Sequence, residues 1–340
     1  MLRQEQLEEI KRHLEQAKNP LFFYDDDHDG LASYLLLQRA YPRGHGVCVK
    51  AALHDERVYI KKIQLYKPDK VFFLDRATLT QELLNDISVP AVWIDHHQPV
   101  QRERVFYYNP MVPDLKDNRP TSHWCYQVVR RDEWIAAVGI VGDWHIPEFS
   151  SFAYEELFDG RNKQPELLYE SRIGTLVRVF NFILKGKNSE TKKCVRLLLK
   201  IENPYEILRQ ETPRGAYIYQ RYESVNKEYQ KLLQRALRAH GDDELFMFVY
   251  PSTRMSFTGE LSNELLYRLD KKLIVIAREK GSSVRVSLRS SHVKVLPLLK
   301  NALEGLDGYG GGHDYACGAN LQRDDFPRFI EQLREALTKK

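Results

Sequence analysis

Cysteine is scarce in this chain. Cys48, Cys125, Cys194 and Cys317 are spread over 340 positions and form no Cys-x-x-Cys pair. That scatter excludes a zinc–thiolate site and points to a reducing, cytoplasmic setting. Long apolar runs are missing too. No stretch of about 18 apolar residues occurs, so no membrane span is expected. The opening Met-Leu-Arg-Gln-Glu-Gln-Leu-Glu-Glu-Ile-Lys is rich in acids and lacks an apolar core, which argues against a secretory signal. It reads instead as an amphipathic helix with Leu2, Leu7, Ile10 and Leu14 on one stripe. No internal repeat or low-complexity tract is present.

What remains is an ordinary soluble composition, with 43% hydrophobic and 29% charged residues. The length is enough for two domains with real cores. The formal charge of +4 says little about partners, but its distribution says more. Residues 185–240 hold 13 Lys and Arg against 6 Glu, a local excess of +7. Such a run is a solvated helical face or a surface for a polyanion.

Residues 20–150 alternate strand-like and helix-like segments. The strands expected are Leu21–Tyr24, Val47–Ala52, Val71–Leu74 and Ala91–Ile94, with helices at Leu31–Ala40 and Thr80–Ile87. Alternation of this kind predicts a parallel, doubly wound α/β sheet. Residues 120–141 read as helices, and the charged stretch from 150 to 240 is helical in pattern, closing with Tyr222–Ala239. After His240-Gly-Asp-Asp the pattern returns to α/β. Strands are expected at Phe246–Tyr250, Lys272–Ala277 and Ser283–Leu288, and helices at Ser262–Leu269 and Val295–Glu304. The expected division is therefore residues 1–184, a basic helical connector over 185–240, and a smaller α/β domain over 241–340.

One grammar recurs four times: an apolar segment, then a carboxylate. Leu21–Tyr24 runs into Asp25-Asp-Asp-His-Asp29-Gly30, Lys70–Leu74 into Asp75, Val89–Ile94 into Asp95-His96-His97, and Ile140-Val-Gly into Asp143. In open α/β sheets the carboxyl ends of strands hold the ligand. Carboxylates gathered there repel each other and call for cations. Asp25, Asp27 and Asp29 alternate along an extended loop, so some of them can converge on one point. With Asp75, His96 and Asp143 they make an oxygen-dominated set with imidazole, suited to Mn²⁺ or Mg²⁺. The set is large enough for two ions sharing a bridging carboxylate, the arrangement that activates water against a phosphoester.

Those residues resemble the four motifs of the DHH phosphoesterase superfamily: Asp-x-Asp-x-Asp-Gly, an isolated Asp, Asp-His-His and a later Asp. Gly310-Gly-Gly-His313-Asp-Tyr-Ala-Cys-Gly318 is similar to the signature of the associated DHHA1 domain, and Val284–Ser290 to the strand before it. Asn109-Pro110 also falls where the family has such a pair. The resemblance implies that Asp25, Asp27 and Asp75 hold one ion. It gives the second ion to Asp29, Asp75, His96 and Asp143, with Asp75 bridging. His97 would face the substrate phosphate, and Asp95 would orient a histidine. Arg289, Ser290, Gly310, Gly311, Gly312 and His313 would grip the substrate.

Two positions depart from the pattern. Phe23 stands where nanoribonucleases and bisphosphate phosphatases carry histidine, and Asp25 two residues on matches RecJ-like nucleases instead. Cys317 replaces a more usual alanine and reads as a small buried residue. His28 and His145 lie beside supposed ligands, and Tyr217, Tyr219, Tyr222 and Tyr229 offer rings for base stacking or for the core.

The resemblance implies a two-metal exonuclease of the compact archaeal RecJ type, preferring Mn²⁺ and degrading single-stranded DNA or RNA to mononucleotides. Two other readings stay open. One is a phosphodiesterase for short oligonucleotides, cyclic dinucleotides or nucleotide bisphosphates, and the other a non-catalytic or weakly catalytic partner of a replication or repair helicase.

Overall fold

The computed structural model describes residues 1–50, 56–239, 241, 243–252, 255–269 and 271–338. Ala51 and Ala52, the expected end of the second strand, lie outside the described residues, as do His240 and Asp242. Two compact units emerge, Met1–Tyr222 and Glu223–Lys340.

The first unit opens with α1 (Gln4–Gln16), β1 (Pro20–Asp25), α2 (His28–Ala40), β2 (His45–Val49), α3 (Arg57–Tyr66), β3 (Lys70–Leu74), α4 (Gln81–Asp86), β4 (Ala91–Ile94) and β5 (Phe106–Tyr108). Helices follow: α5 (Thr121–Val129), α6 (Glu133–Gly142), α7 (Gln164–Glu170), α8 (Arg172–Ile183), α9 (Asn188–Leu198), α10 (Tyr205–Leu208) and α11 (Pro213–Arg238), which runs on past Tyr222 into the second unit, with a short 3₁₀ turn at Glu155–Phe158. The strands form one sheet in the order β2-β1-β3-β4-β5. Every pairing is parallel, with Phe23 opposite Phe73 and Phe73 opposite Trp93.

The central strands are unbroken apolar runs because helices cover both faces. Phe23, Phe73, Val71 and Trp93 point to the side closed by Tyr59 of α3 and Leu83 and Leu84 of α4. Phe22 and Phe72 point the other way and stack at 4.9 Å, with Tyr34 of α2 beside Phe22. Phe23 is fully buried and stacks on Phe73 at 5.5 Å. It is core, not chemistry.

Strand order reverses direction at β1. Chain growth goes to β2 on one side and β3 on the other, which opens a crevice beyond the carboxyl ends of β1 and β3. Asp25 ends β1, and Asp75 follows β3 directly. The sheet alone therefore brings two of the expected acids side by side.

The second unit comprises β6 (Leu245–Pro251), α12 (Thr258–Arg268), β7 (Leu273–Lys280), β8 (Ser283–Arg289), α13 (Val295–Ala302), β9 (Gly308–His313), β10 (Ala316–Gln322) and α14 (Phe326–Thr338). Its sheet runs β6-β7-β8-β10-β9, with only β6 and β7 parallel. Val275, Val286, Leu288 and Leu321 pack with Leu299 of α13 and Phe329 of α14. The fold is thus α/β throughout: a parallel sheet, then helices, then a smaller mixed sheet. Sequence reading missed β5, α3, β9, β10 and α14.

Gly30 sets the distance between β1 and α2. A Cβ there would lie 2.6 Å from the Asp25 amide nitrogen and 2.8 Å from its carbonyl oxygen. Both are backbone atoms and cannot swing aside. Gly30→Ala should therefore cost about 1–3 kcal/mol, the usual range for forced overpacking. Thermal melting of the variant checks this, and an unchanged Tm would show that β1 and α2 can separate freely.

Candidate metal centre

Each acid arrives at the crevice by a different local device. Asp27 is the N-cap of α2, its Oδ1 accepting the Gly30 amide at 2.9 Å. Asp29, in the first turn of α2, is fully buried. Its two oxygens accept the Thr121 and Ser122 amides at 2.8 and 2.9 Å, so a side chain of α2 caps the start of α5. Asp75 leaves β3 with φ of 57°, a left-handed conformation that Asp tolerates better than most residues. Its Oδ1 receives the Thr121 hydroxyl at 3.4 Å.

His96 turns its Nδ1 to the Asn118 carbonyl oxygen at 3.1 Å, which directs Nε2 inward. There Nε2 lies 3.4 Å from Asp75 and 3.5 Å from Asp143 at the end of α6. His97 is held differently. Buried Asp95 receives its backbone N–H at 3.1 Å and its Nδ1 at 2.8 Å, and Asn109 steadies the pair by donating to Asp95 and to the His97 carbonyl. One ligand atom from each of Asp75, His96 and His97 can be chosen within 4.8 Å of the others.

The electrostatics of this crowding are unfavourable without cations. Burial, reinforced by Asp27, pushes the Asp25 carboxyl up to about 7. Burial and the Asp75 charge push Asp27 up to about 8, and burial with Asp29 pushes Asp75 to about 6. Asp143 is raised too, again by burial first. The imidazoles respond oppositely. Burial disfavours their charged forms, yet Asp75 and Asp143 hold His96 well above its usual range, and the Asp95 bond lifts His97 to about 9. Each shift favours the more positive form of its group, the direction in which a bound cation would also act. A donor set of several carboxylate oxygens with imidazole nitrogen fits Mn²⁺ or Mg²⁺, so the residues present suit such ions.

Several contributors escaped sequence reading. Arg76 binds Asp25 Oδ1 through its guanidinium, and its position directly after Asp75 is a signal that was available. Thr121 and Asn118 carried none, since their roles depend on tertiary neighbours. His145 joins the Asp143 carbonyl at 2.7 Å to the Asn118 side chain at 3.2 Å, and so ties α6 to the loop that orients His96. His28 directs Nδ1 to Asn181 of α8 at 3.1 Å.

The substrate residues expected in the second unit are placed with equal clarity. Arg289 ends β8, its Nε donating to Asn263 Oδ1 at 2.8 Å and its Nη1 to the Leu288 and Cys317 carbonyls. Ser290 is buried, and its hydroxyl accepts the Val293 amide in a turn, so it is a turn-former. Gly310, Gly311, Gly312 and His313 were expected as a loop with free amides. They form the edge strand β9, paired with β10, with Gly310 opposite Ala319. Only amides facing away from β10 are offered outward. Cys317 is buried, as its size predicts. Tyr222 and Tyr229 are core side chains, Tyr229 donating to Glu264 at 2.6 Å, and Lys193 lies over the Tyr217 ring at 3.9 Å. Of the two readings, the core one holds for Tyr222 and Tyr229.

Comparison with known proteins follows the same division. Residues 245–339 match the DHHA1 domain family. RecJ from Thermus thermophilus in complex with Mn²⁺ superposes with a TM-score of 0.71 at 19% identity, over 100% of this chain and 55% of that one. This chain therefore spans little more than half of that relative. An exonuclease RecJ bound to manganese gives 0.67 at 19% identity, over 100% and 96% of the two chains. A pGpG-specific phosphodiesterase, PggH from Vibrio, gives 0.54 at 14% identity, over 95% and 99%. No curated protein matches by sequence. Residues 245–339 thus belong with the DHHA1 domain family, and the chain as a whole shares the fold of these RecJ structures.

The shifted carboxyls define a pH dependence. Asp25, Asp27 and Asp75, at about 7, 8 and 6, keep protons when folded that the unfolded chain loses near 3.8. The folded state thus binds more protons over pH 4–8, and stability falls as pH rises through that window. His97 acts in the same sense. Its contribution is complete below 6.5 and is lost on passing about 9. The metal-free protein should therefore melt at a lower temperature at pH 8 than at pH 5.5, and added Mn²⁺ should narrow the gap. Melts in chelator that are flat or rising with pH would contradict this electrostatic account.

Proposed function

We propose that the chain is a two-cation phosphodiesterase, an exonuclease that degrades single-stranded DNA or RNA to mononucleotides in the cytoplasm. The observation that carries the reading is the Asp75–His96–His97 cluster at the carboxyl edge of a parallel sheet, with buried acids crowded around it. Asp25 and Asp27 with Asp75 would hold one ion. Asp29, Asp75, His96 and Asp143 would hold the other. Divalent ions bound there neutralise phosphate charge and make water acidic enough to attack at neutral pH.

The protein's own groups supply orientation. Asp95 accepts a hydrogen bond from the Nδ1–H of His97 and so favours the protonated ring, whose Nε2–H is then left to donate to a phosphate oxygen. The Asn118 carbonyl fixes His96 so that its Nε2 serves as a ligand. Asp29 holds the start of α5 and so keeps the Thr121 hydroxyl on Asp75. Arg289 and the outward amides of β9 are groups suited to a strand's phosphates. A replication or repair helicase would be a partner of the active enzyme.

A second reading keeps the centre and changes the substrate. The similarity to a pGpG-specific phosphodiesterase favours a dinucleotide-sized ligand. Against it stands Phe23, buried where short-substrate members carry histidine.

Rates on a dinucleotide and on a strand of about 20 nucleotides separate the two, since a groove tracking a strand contacts roughly 4–16 nucleotides. The longer strand should be cut faster with Mn²⁺ at least matching Mg²⁺, and chelator should abolish turnover. Asp75→Ala should lower the rate by at least about a hundredfold, as loss of a main electrostatic group does. Activity surviving in excess chelator would overturn the proposal.

Arg289→Ala should raise the Michaelis constant for oligonucleotides and matter less for bis-p-nitrophenyl phosphate, which offers no further phosphates to hold. Equal proportional losses of kcat/KM on both would place Arg289 in the chemistry itself.

A further inference from the structure

Helix α6 ends in a closure that fixes the residue after Asp143. The His145 amide donates to the Ile140 carbonyl at 3.0 Å and the Trp144 amide to the Val141 carbonyl at 3.2 Å. This is the Schellman pattern, and it places Trp144 in the left-handed region with φ of 63°. Glycine is the usual occupant there, because a Cβ is crowded in that conformation. A bulky aromatic at positive φ is a genuine outlier.

Burial does not compensate for it. Trp144 is 39% exposed, whereas Trp93, Trp124 and Trp134 are exposed by 0, 2 and 1%. Its indole meets Tyr169 edge to face with centroids 6.2 Å apart, and Ile146, also outward, is 49% exposed. A strained backbone that leaves an indole in water makes sense where the indole has a task. The location supplies one. Asp143, the preceding residue, brings its carboxylate to 3.5 Å from His96 Nε2. Trp144 is the next residue along the chain, so its indole leaves the backbone beside that cluster.

We infer that Trp144 is a substrate-positioning residue whose indole stacks on a nucleobase beside the scissile phosphate. The inference rests on the phosphodiesterase reading above and adds the requirement that the substrate carry a base there. Stacking tolerates any base, since each has a π-face. It would also account for a tryptophan standing where glycine is easier.

The test uses the full chain with Mn²⁺ and two phosphorothioate-linked single strands of about ten nucleotides, a length within the usual groove site sizes. One carries bases, and the other has the same backbone without them. The other three indoles are buried, so binding of the base-bearing strand should quench the emission of Trp144, and the abasic strand should not. Trp144→Gly should weaken the base-bearing strand about tenfold or more, leave the abasic strand unchanged, and melt no lower than wild type. Trp144→Phe should restore most of the affinity. If wild type degrades single strands while Trp144→Gly binds both probes as wild type does, the stacking role is wrong and the phosphodiesterase reading stands. Equal loss of both probes with a lowered Tm would make Trp144 structural and overturn the inference. Failure of wild type to bind either strand or to hydrolyse any phosphodiester would overturn both.

Discussion

Mutual repulsion among buried carboxylates is the constraint around which the first unit is organised. Asp25, Asp27, Asp29, Asp75 and Asp143 converge from β1, α2, β3 and α6. Asp29 and Asp75 are buried and the other three half-buried, so the charge on each is screened less than in open water. A fold selected for stability alone would not assemble such a group. Within the chain three features oppose that repulsion: burial and neighbouring charge raise the proton affinity of the carboxyls, the His96 and His97 imidazoles face Asp75, Asp143 and Asp95, and Arg76 brings a guanidinium to Asp25. All three devices do by substitution what divalent ions would do directly.

The architecture supplies positions, and small tertiary links supply aim. Strand order places β1 beside β3, and thereby Asp25 beside Asp75. Finer direction comes from groups far apart in sequence. Asp29 caps α5 across more than ninety residues, and the Asn118 carbonyl turns His96 by gripping the nitrogen not needed at the centre. Such second contacts orient ligands and tune their basicity. They also make the site sensitive to changes that touch no ligand, as the Gly30 contact between β1 and α2 illustrates.

The parts legible in sequence were those with a local signature. β1, β3 and β4 announced themselves as apolar runs ending in a carboxylate, because strands buried on both faces cannot be interrupted by polar residues. β9 did not: Gly-Tyr-Gly-Gly-Gly-His is exposed along nearly its whole length and glycine is poor in strands, so only pairing with β10 holds it extended. β5 has three residues, too few for a period. At the site, the residue types that gather were readable from the Asp and His pattern. Their aim was not, since Thr121, Asn118 and Arg76 act through contacts that only the folded chain creates. Trp144 was invisible for a similar reason. Nothing in Gly-Asp-Trp-His shows that tryptophan occupies a glycine conformation.

The central claim is that the acid cluster is a seat for two cations sharing Asp75. Diffraction at the manganese absorption edge from crystals grown with Mn²⁺ tests it most directly. The account predicts two anomalous peaks about 3.5–4 Å apart, both within bonding distance of the Asp75 carboxylate, with the His96 imidazole bound to one of them. A cluster that binds no manganese, or ions seated away from Asp75, would contradict it.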